Sequence, residues 1–149
     1  MINYVPMESH HLDGLAAVEE ECFNSGYGRC TFEKELENKI AKYIVAEEDG
    51  KVLGYAGLWN ICGSADIMNV GVLKEYRRCG IGINLLEGLE KYCIDNGIFE
   101  INLEVRVGNI PARELYKKLG YKEITVRKGY YDGKEDGVVM KKILTEEKI

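Results

Sequence analysis

One stretch of the chain combines an apolar segment, a basic turn and the start of a helix, and it constrains the fold more than any other. Residues 67–73 are mostly apolar, which predicts a strand. Arg77 and Arg78 follow, and then the pattern Gly-x-Gly. Apolar residues then recur at helical spacing and predict a helix over residues 80–96; they are Gly82, Leu85, Leu86, Leu89, Tyr92 and Cys93. The chain is therefore expected to form a strand, a basic turn and a helix N-terminus in succession.

Such a turn suits a phosphate or pyrophosphate. Backbone N–H groups at a helix N-terminus point outward, glycines let a ligand approach the backbone, and the helix dipole adds partial positive charge. Two known nucleotide loops do not fit, because a dinucleotide fingerprint requires glycine where the chain has Leu85, and the Gly-Lys-Ser/Thr of a P-loop is missing. Gly-x-Gly before a helix is also common in plain tight turns, so the glycines alone leave that alternative open.

The remaining segments predict a mixed α/β fold. Asp49-Gly50 between two apolar runs predicts a hairpin, and the polar residues 128–137 predict a loop between the last two strands. Strands are predicted over residues 1–6, 43–46, 52–59, 67–73, 99–107, 121–127 and 138–143, and helices over residues 9–22, 31–38, 80–96 and 109–119. The order β-α-α-β-β-β-α-β-α-β-β predicts one domain over residues 1–149 with a six- or seven-stranded, mostly antiparallel sheet.

Composition supports a globular domain without a membrane segment. The chain has 149 residues, of which 46% are hydrophobic and 30% are charged, as expected for one soluble domain. No apolar run approaches the roughly 20 residues of a membrane span, and the N-terminus lacks the apolar core of a signal peptide. A cytoplasmic location is expected.

Metal and nucleic-acid functions are not expected. The 5 cysteines are odd in number and never form Cys-x-x-Cys, so free thiols are predicted. His10 and His11 are adjacent and have no plausible ligand partners nearby in the sequence, so no metal site is predicted. A net charge of -5 argues against nonspecific nucleic-acid binding and is compatible with a cationic substrate.

The pattern Arg-x-x-Gly-x-Gly at Arg77, Gly80 and Gly82 resembles the acyl-CoA pyrophosphate loop of the GCN5-related N-acetyltransferase (GNAT) family. The resemblance covers nearly the whole chain, because the predicted order of elements is also that of the family. It implies acetyl-CoA as cosubstrate and a sheet that splays at the strand over residues 67–73. The residues that the resemblance assigns to acetyl-CoA are Val70, Gly71, Val72, Arg77, Arg78, Cys79, Gly80, Ile81, Gly82, Ile83 and Asn109. The first three are expected to bind the thioester carbonyl and the pantetheine through their backbone N–H groups.

Acetyl transfer from a thioester to an amine requires proton removal from the amine, polarisation of the carbonyl and protonation of the leaving thiolate. Glu104 lies on the polar face of an alternating strand, so its carboxylate can point into a cleft. Tyr116 lies on the following helix, and a phenol with a pKa of about 10 is a suitable proton donor to a thiolate. Each residue has a plainer alternative: Glu104 as a solvated surface residue, Tyr116 as a core residue and Asn109 as a helix cap.

Residues 103–121 are similar to Leu-Glu-Val-Arg-x-x-Asn-x-x-Ala-x-x-Leu-Tyr-x-x-x-Gly-Phe of the RimI type, the N-terminal alanine acetyltransferases that act on a small-subunit ribosomal protein. Residues 127–131 are similar to the Arg-x-x-Tyr-Tyr of the same subfamily. This match implies that Glu104 is the general base and Tyr116 the general acid, with direct attack in a ternary complex.

The chain also departs from the RimI pattern. Gly71 replaces alanine, which is expected to loosen acyl binding, and Tyr121 replaces phenylalanine, while Gly137 replaces alanine. The loop over residues 23–32, which helps to shape the acceptor pocket in such enzymes, lacks the usual Pro-Trp pair.

The pKa of the acceptor's amine distinguishes between classes of acceptor. At pH 7 an α-amine with a pKa near 7.8 is roughly 10–15% neutral, whereas lysine is about 0.04% neutral, so a single glutamate is better matched to a protein N-terminus. A small amine such as a polyamine, aminoglycoside or amino acid is the alternative, which a deep and narrow acidic pocket would favour. A non-catalytic acyl-CoA-binding module is a further alternative.

Overall fold

The computed structural model describes residues 1–23, 28–131 and 135–144, and it contains a seven-stranded sheet with helices packed on it. The strands are β1 Asn3–Pro6, β2 Ala41–Glu48, β3 Lys51–Ile61, β4 Ser64–Val72, β5 Glu100–Arg106, β6 Lys122–Tyr131 and β7 Glu135–Ile143. The helices are α1 Leu12–Cys22, α2 Arg29–Glu37, α3 Ile81–Asp95 and α4 Ile110–Lys118, with short 3-10 turns at Ser9–His11 and Lys74–Tyr76. The predicted mixed α/β class and the predicted order of elements are confirmed.

The sheet divides between β4 and β5. Its strand order is β1-β2-β3-β4-β5-β7-β6, and all neighbouring pairs are antiparallel except β4 with β5. That parallel pair is short, because it ends where Asp66 lies opposite Asn102. Beyond this point β4 continues to Val72 and β5 to Arg106 without pairing to each other. The sheet therefore splays at β4, the strand at which the family resemblance implied it.

A β-bulge in β4 lies at the point of divergence. Gly57 of β3 faces Asn69, and the next residue, Leu58, faces Ile67, so Met68 is an extra residue in β4. A bulge bends its strand and increases the local twist. Because Met68 follows the last residue paired with β5 by two positions, the bulge turns β4 away from β5.

Two hydrophobic clusters cover the two faces of the sheet. One cluster contains four of the five buried residues of α3 together with core residues of β5 and β7, such as Ile101 and Met140. The other lies under α1 and α2 and includes Leu15, Phe32 and Tyr55. α1 packs against β3 and β4, and in the described part of the chain this second cluster contains no residue of β5, β6 or β7. In the described part of the chain, no helix has the length and apolarity needed to cross a membrane.

The hairpin at Asp49-Gly50 is confirmed, and both residues have the positive φ that a type I′ turn requires, 52° and 81°. The predicted helix over residues 9–22 instead begins with a 3-10 turn, and α1 starts at Leu12. The reason is that the His11 ring reaches back, and its Nδ1 accepts a hydrogen bond from the Glu8 N–H at 2.9 Å.

The predicted loop over residues 128–137 is wrong. β6 continues to Tyr131 and β7 begins at Glu135, while residues 132–134 lie outside the described residues. Asp136 helps to extend the hairpin, because its side chain accepts the Gly129 N–H at 2.8 Å and its carbonyl accepts the Val107 N–H at 3.0 Å. Polar side chains thus support the pairing of β6 with β7 outside the apolar core. Hydrophobic alternation did not predict this part of the hairpin, because its stabilising residues are polar.

Candidate active site

A cleft of about 740 Å³ opens where β4 and β5 diverge. It is bounded by these two strands, the start of α4, and β6 and β7. Residues on its wall include Phe23, Asp66, Val70, Glu104, Tyr116 and Arg127. The two candidate catalytic residues, which lie on different elements, therefore line one cleft.

Glu104 is held on the cleft wall by the alternation of β5. Its neighbours Leu103 and Val105 point into the core, so Glu104 points the other way. The Glu104 side chain is 20% exposed, its Oε2 is buried, and that oxygen lies 3.3 Å from Nε of Arg127. This is an ion pair inside a cleft, which is not the environment of a freely solvated surface carboxylate.

Tyr116 is partly buried on α4, and it packs against the edge of the main hydrophobic cluster. Its ring meets the ring of Tyr121 edge to face, with the centroids 5.9 Å apart. Tyr121 is itself buried, which raises the pKa of its phenol, and its hydroxyl donates to Oε2 of Glu90 at 3.5 Å. The Tyr116 ring thus combines partial core packing with access to the cleft.

The two arginines of the turn after β4 have different contacts. Nε of Arg77 donates to the Val72 carbonyl at 2.9 Å, and the Cys22 thiol donates to the same carbonyl at 3.3 Å. Arg77 therefore ties the turn to β4 and to the end of α1. Arg78 is exposed and has no hydrogen bond or ion pair in the described part of the chain. Of the two arginines, Arg78 is the one whose guanidinium remains available to an anion.

The N-terminus of α3 presents unpaired backbone donors. The Asn84 N–H donates to the Gly80 carbonyl at 3.0 Å, so the N–H groups of residues 81–83 precede the first intrahelical bond. Gly80 has a φ of 83°, which glycine adopts without strain. A Cβ added at Gly82 would meet no atom within 4 Å, so packing within the protein does not require glycine there. Open space beside free N–H groups fits the pyrophosphate of a CoA ester.

The three predicted backbone contacts of β4 do not point the same way. The Leu73 N–H donates to the Leu53 carbonyl of β3 at 2.9 Å. By the alternation of an antiparallel ladder, the Gly71 N–H also points toward β3, and those of Val70 and Val72 point toward the gap. The geometry therefore favours Val70 and Val72 over Gly71 as backbone donors to a ligand.

A side chain at Gly71 would have close neighbours. A Cβ there would lie 3.2 Å from Cε1 of Tyr55, 3.4 Å from Cε2 of Phe23 and 3.5 Å from Sγ of Cys22. Only the contact with Tyr55 is tighter than an ordinary van der Waals contact, so an alanine methyl would fit after that ring moves by a few tenths of an ångström. The looser acyl binding expected from Gly71 stays a prediction.

The other residues predicted to contact the cofactor differ in burial and in hydrogen bonding. Asn109 lines the cleft and also caps α4, because its Oδ1 accepts the Ala112 N–H at 3.3 Å. The Ile81 side chain is buried, which leaves its N–H as the group that faces the turn, and Ile83 is half-buried. Cys79 is exposed, and its thiol lies 3.7 Å from the Arg77 carbonyl.

The histidine pair has a partner that the sequence did not reveal. His10, His11 and Glu47 place possible ligand atoms within 4.8 Å of one another, and His11 Nε2 lies 2.8 Å from Glu47 Oε1. Because Nδ1 of His11 accepts the Glu8 N–H, its Nε2 carries the proton and donates to Glu47. Both nitrogens of His11 are thus committed to the protein, and this ring offers no lone pair to a metal.

Two interactions near the cleft were also missed by sequence reasoning, namely the pairing of Arg127 with Glu104 and that of Arg113 with Glu123. Arg127 belongs to the Arg-x-x-Tyr-Tyr similarity, but the partner of an arginine is not encoded in such a motif. The second pair joins α4 to β6, and no pattern in the sequence around Arg113 or Glu123 indicates that the two side chains meet.

The chain is similar to known proteins in both sequence and fold. Residues 12–121 match the profile described as Acetyltransferase (GNAT) family. A Bacillus subtilis (strain 168) protein named "Putative ribosomal protein bS18-alanine N-acetyltransferase" is 37% identical over 136 residues, which cover 90% of each chain. An N-alpha-acetyltransferase of Sulfurisphaera tokodaii is 34% identical over 142 residues, covering 87% of this chain and 85% of its own. The crystal structure of the ribosomal-protein-S18-alanine N-acetyltransferase from Escherichia coli superimposes with a TM-score of 0.90 at 27% identity, covering 99% and 97% of the two chains.

Proposed function

The chain belongs to the acetyltransferase (GNAT) family, and from that premise we propose that it transfers the acetyl group of acetyl-CoA to the N-terminal α-amine of a protein. The observation that carries the proposal is the cleft between the diverging strands β4 and β5. Glu104 and Tyr116 line this cleft, and β4 leads directly to the glycine turn at the N-terminus of α3.

Each element of the cleft has a role in the proposed reaction. The N–H groups of residues 81–83 and the Arg78 guanidinium bind the pyrophosphate. The N–H groups of Val70 and Val72 bind the pantetheine arm and the thioester carbonyl along the gap. Such fixed donors stabilise the negative charge that develops on the carbonyl oxygen.

The chemistry is a direct acyl transfer. The carboxylate of Glu104, acting directly or through a water, accepts a proton from the α-ammonium group of the acceptor. The neutral amine then attacks the thioester carbon, an N–C bond forms and the C–S bond breaks. The departing thiolate takes a proton from the Tyr116 hydroxyl, and the new amide nitrogen loses its second proton, which restores the Tyr116 phenol by way of solvent. The products are an N-acetylated terminus and CoA, and Glu104 returns its proton to solvent.

The mixed charges of the cleft wall support a protein N-terminus over a small polyamine as the acceptor. In the described part of the chain the cleft wall carries the carboxylates of Asp66 and Glu104 but also the guanidinium groups of Arg106 and Arg127. A deep acidic pocket, which would favour a polycation, is not what these residues form. The names of the B. subtilis and E. coli relatives support an N-terminal alanine of a ribosomal protein as the first acceptor to test.

Thiol release from acetyl-CoA tests the proposal. The purified protein is offered a peptide with a free N-terminal alanine, the same lysine-containing peptide with its N-terminus blocked, and a panel of small amines. We expect release with the free terminus only, because at neutral pH an α-amine is far more often neutral than a lysine side chain. Release with small amines alone would contradict the protein substrate and leave the acetyltransferase assignment in place.

A further inference from the structure

The helix that carries Tyr116 is weakly anchored by apolar contacts. α4 contributes no fully buried residue, and only its partly buried Ala112 and Tyr116, with Leu119 just beyond its end, pack against the main cluster. A proton donor nevertheless has to be held in place, because a misplacement of about 1 Å costs on the order of 100-fold in rate. The position of α4 therefore depends on contacts other than hydrophobic burial.

One side chain of α4 supplies such contacts in two directions. Nε and Nη2 of Arg113 each lie 2.8 Å from Oε2 of Glu123 at the start of β6. Nη1 of the same guanidinium donates to the Val107 carbonyl, just after β5, at 2.7 Å. Lys117, one turn later, places its Nζ 3.7 Å from the same Glu123 oxygen. Arg113 thus joins α4 to the strands on both sides of it in sequence.

The electrostatics agree with a formed ion pair. The hydrogen bond from Arg113 lowers the pKa of the Glu123 carboxyl, and its acceptor Glu123 raises the pKa of the guanidinium. The Arg113 side chain is only 20% exposed and that of Glu123 only 30%. A planar guanidinium with several donors suits this geometry, which a lysine ammonium would not reproduce.

Arg113 and Tyr116 lie three residues apart on α4, so their side chains are neighbours on the same side of the helix. We propose that the contacts of Arg113 with Glu123 and Val107 form a clamp that sets the position of α4 and, through it, of the Tyr116 hydroxyl at the cleft. Arg113 is thereby a positioning residue for the transfer reaction, and this role depends on the function proposed above for Tyr116.

A double-mutant cycle tests whether Arg113 acts through Tyr116. Arg113→Met is introduced into the unaltered protein and into Tyr116→Phe, and kcat is measured with acetyl-CoA and the alanine peptide. We expect a loss of about 10-fold in the first background and of less than about 2-fold in the second, with the KM for acetyl-CoA unchanged. Arg113→Lys should recover part of the loss, and the control Lys91→Met, which removes the exposed Lys91–Asp95 pair of α3, should leave kcat unchanged.

Hydrogen exchange supplies a readout that does not depend on activity. In Arg113→Met we expect faster exchange of the α4 amides and unchanged exchange of the α3 amides, and in Lys91→Met no change in α4. Unchanged exchange in α4 would overturn the clamp, and an equal loss of kcat in both backgrounds would overturn the action through Tyr116. If the unaltered protein acetylates nothing, the function proposed above fails together with the positioning role, whereas the exchange data still decide whether Arg113 holds α4.

Discussion

The two helices beside the cleft are attached to the sheet by different forces. α3 buries five side chains against the sheet, namely Ile81, Leu85, Leu86, Leu89 and Cys93. α4 buries none completely and is joined to its neighbouring strands by the guanidinium of Arg113. Full burial of one leucine contributes about 1.5–3 kcal/mol, so α3 is held strongly, by contacts that have no preferred direction. The hydrogen bonds and ion pair of α4 are individually weaker, but they depend on the direction between donor and acceptor.

This difference corresponds to what each helix presents to the cleft. α3 offers backbone N–H groups at its N-terminus, and these require a rigid helix but no particular side chain. α4 offers one phenol, whose oxygen has to lie at one place. The comparison predicts that mutations on the β4 and α3 side act mainly on stability and on CoA affinity, and that mutations on the β5 and α4 side act mainly on turnover.

The largest effect is expected on the β5 and α4 side. Tyr116→Phe and Glu104→Gln each remove a group to which the proposed mechanism assigns a proton transfer, and such groups contribute about 100- to 10,000-fold to rates. CoA affinity should remain within about 2-fold, because the proposed phosphate contacts lie on the other wall of the cleft. Steady-state kinetics and calorimetric titration with CoA measure the two quantities. A loss of CoA binding as large as the loss of kcat would contradict this division of roles.

A core substitution on α3 should rank next. Leu89→Ala removes a side chain that is fully buried, and it should lower the free energy of unfolding by about 2–5 kcal/mol. The matched change on α4, Leu115→Ala, affects a half-buried residue and should cost about 1 kcal/mol or less. Urea unfolding curves compare the two variants. Equal costs would show that α4 is anchored by burial after all.

A change at the glycine turn should separate stability from binding. Gly82→Ala adds a methyl group where the protein leaves open space, so the free energy of unfolding should stay the same or rise by about 0.5 kcal/mol. The same methyl group would obstruct the close approach of the phosphates, and CoA affinity should fall by about 10-fold. Glu87→Ala, at an exposed position of α3, is the control and should change neither quantity. An unaltered affinity in Gly82→Ala would argue that the ligand does not approach this turn.

The smallest effect is expected from acidification. Arg113 lowers the pKa of the folded Glu123 carboxyl below its ordinary value of 4.5. The contribution of the pair is therefore complete above about pH 4.5 and is lost as the pH falls through the lowered folded pKa. After correction for the intrinsic pH dependence of exchange, the protection of the α4 amides should decrease over that acidic window in the unaltered protein, whereas Glu123→Gln should lack this decrease. Identical pH profiles for both proteins would contradict the assignment.

Several features of the fold were predictable because their signals are local. The Asp49-Gly50 turn and the alternation around Glu104 each depend on residues close together in the sequence. The splayed strand was also anticipated, through the family resemblance rather than through periodicity. By contrast, the extension of β6 and β7 was missed, because polar side chains such as that of Asp136 support it.

For the candidate site, residue types were easier to predict than their orientations. Glu104 and Tyr116 lie in one cleft, as the resemblance implies, but their roles remain to be measured. Contact of Arg77 with the cofactor stays a prediction, but its Nε donates to the Val72 carbonyl, which the motif did not indicate. The Gly71 N–H was expected to contact the ligand, but in the antiparallel ladder it points toward β3. Neither orientation is encoded in a motif.

The sequence by itself determined the order of elements, the glycine turn before α3 and the polar face that holds Glu104, because these follow from spacing within a strand, a turn or a helix. Only the tertiary structure decided where β4 leaves β5, that Arg77 reaches the end of α1 across 55 residues and that Arg113 reaches Glu123 across 10 residues. These outcomes depend on how separate segments pack and on which donors and acceptors this packing brings within hydrogen-bond distance.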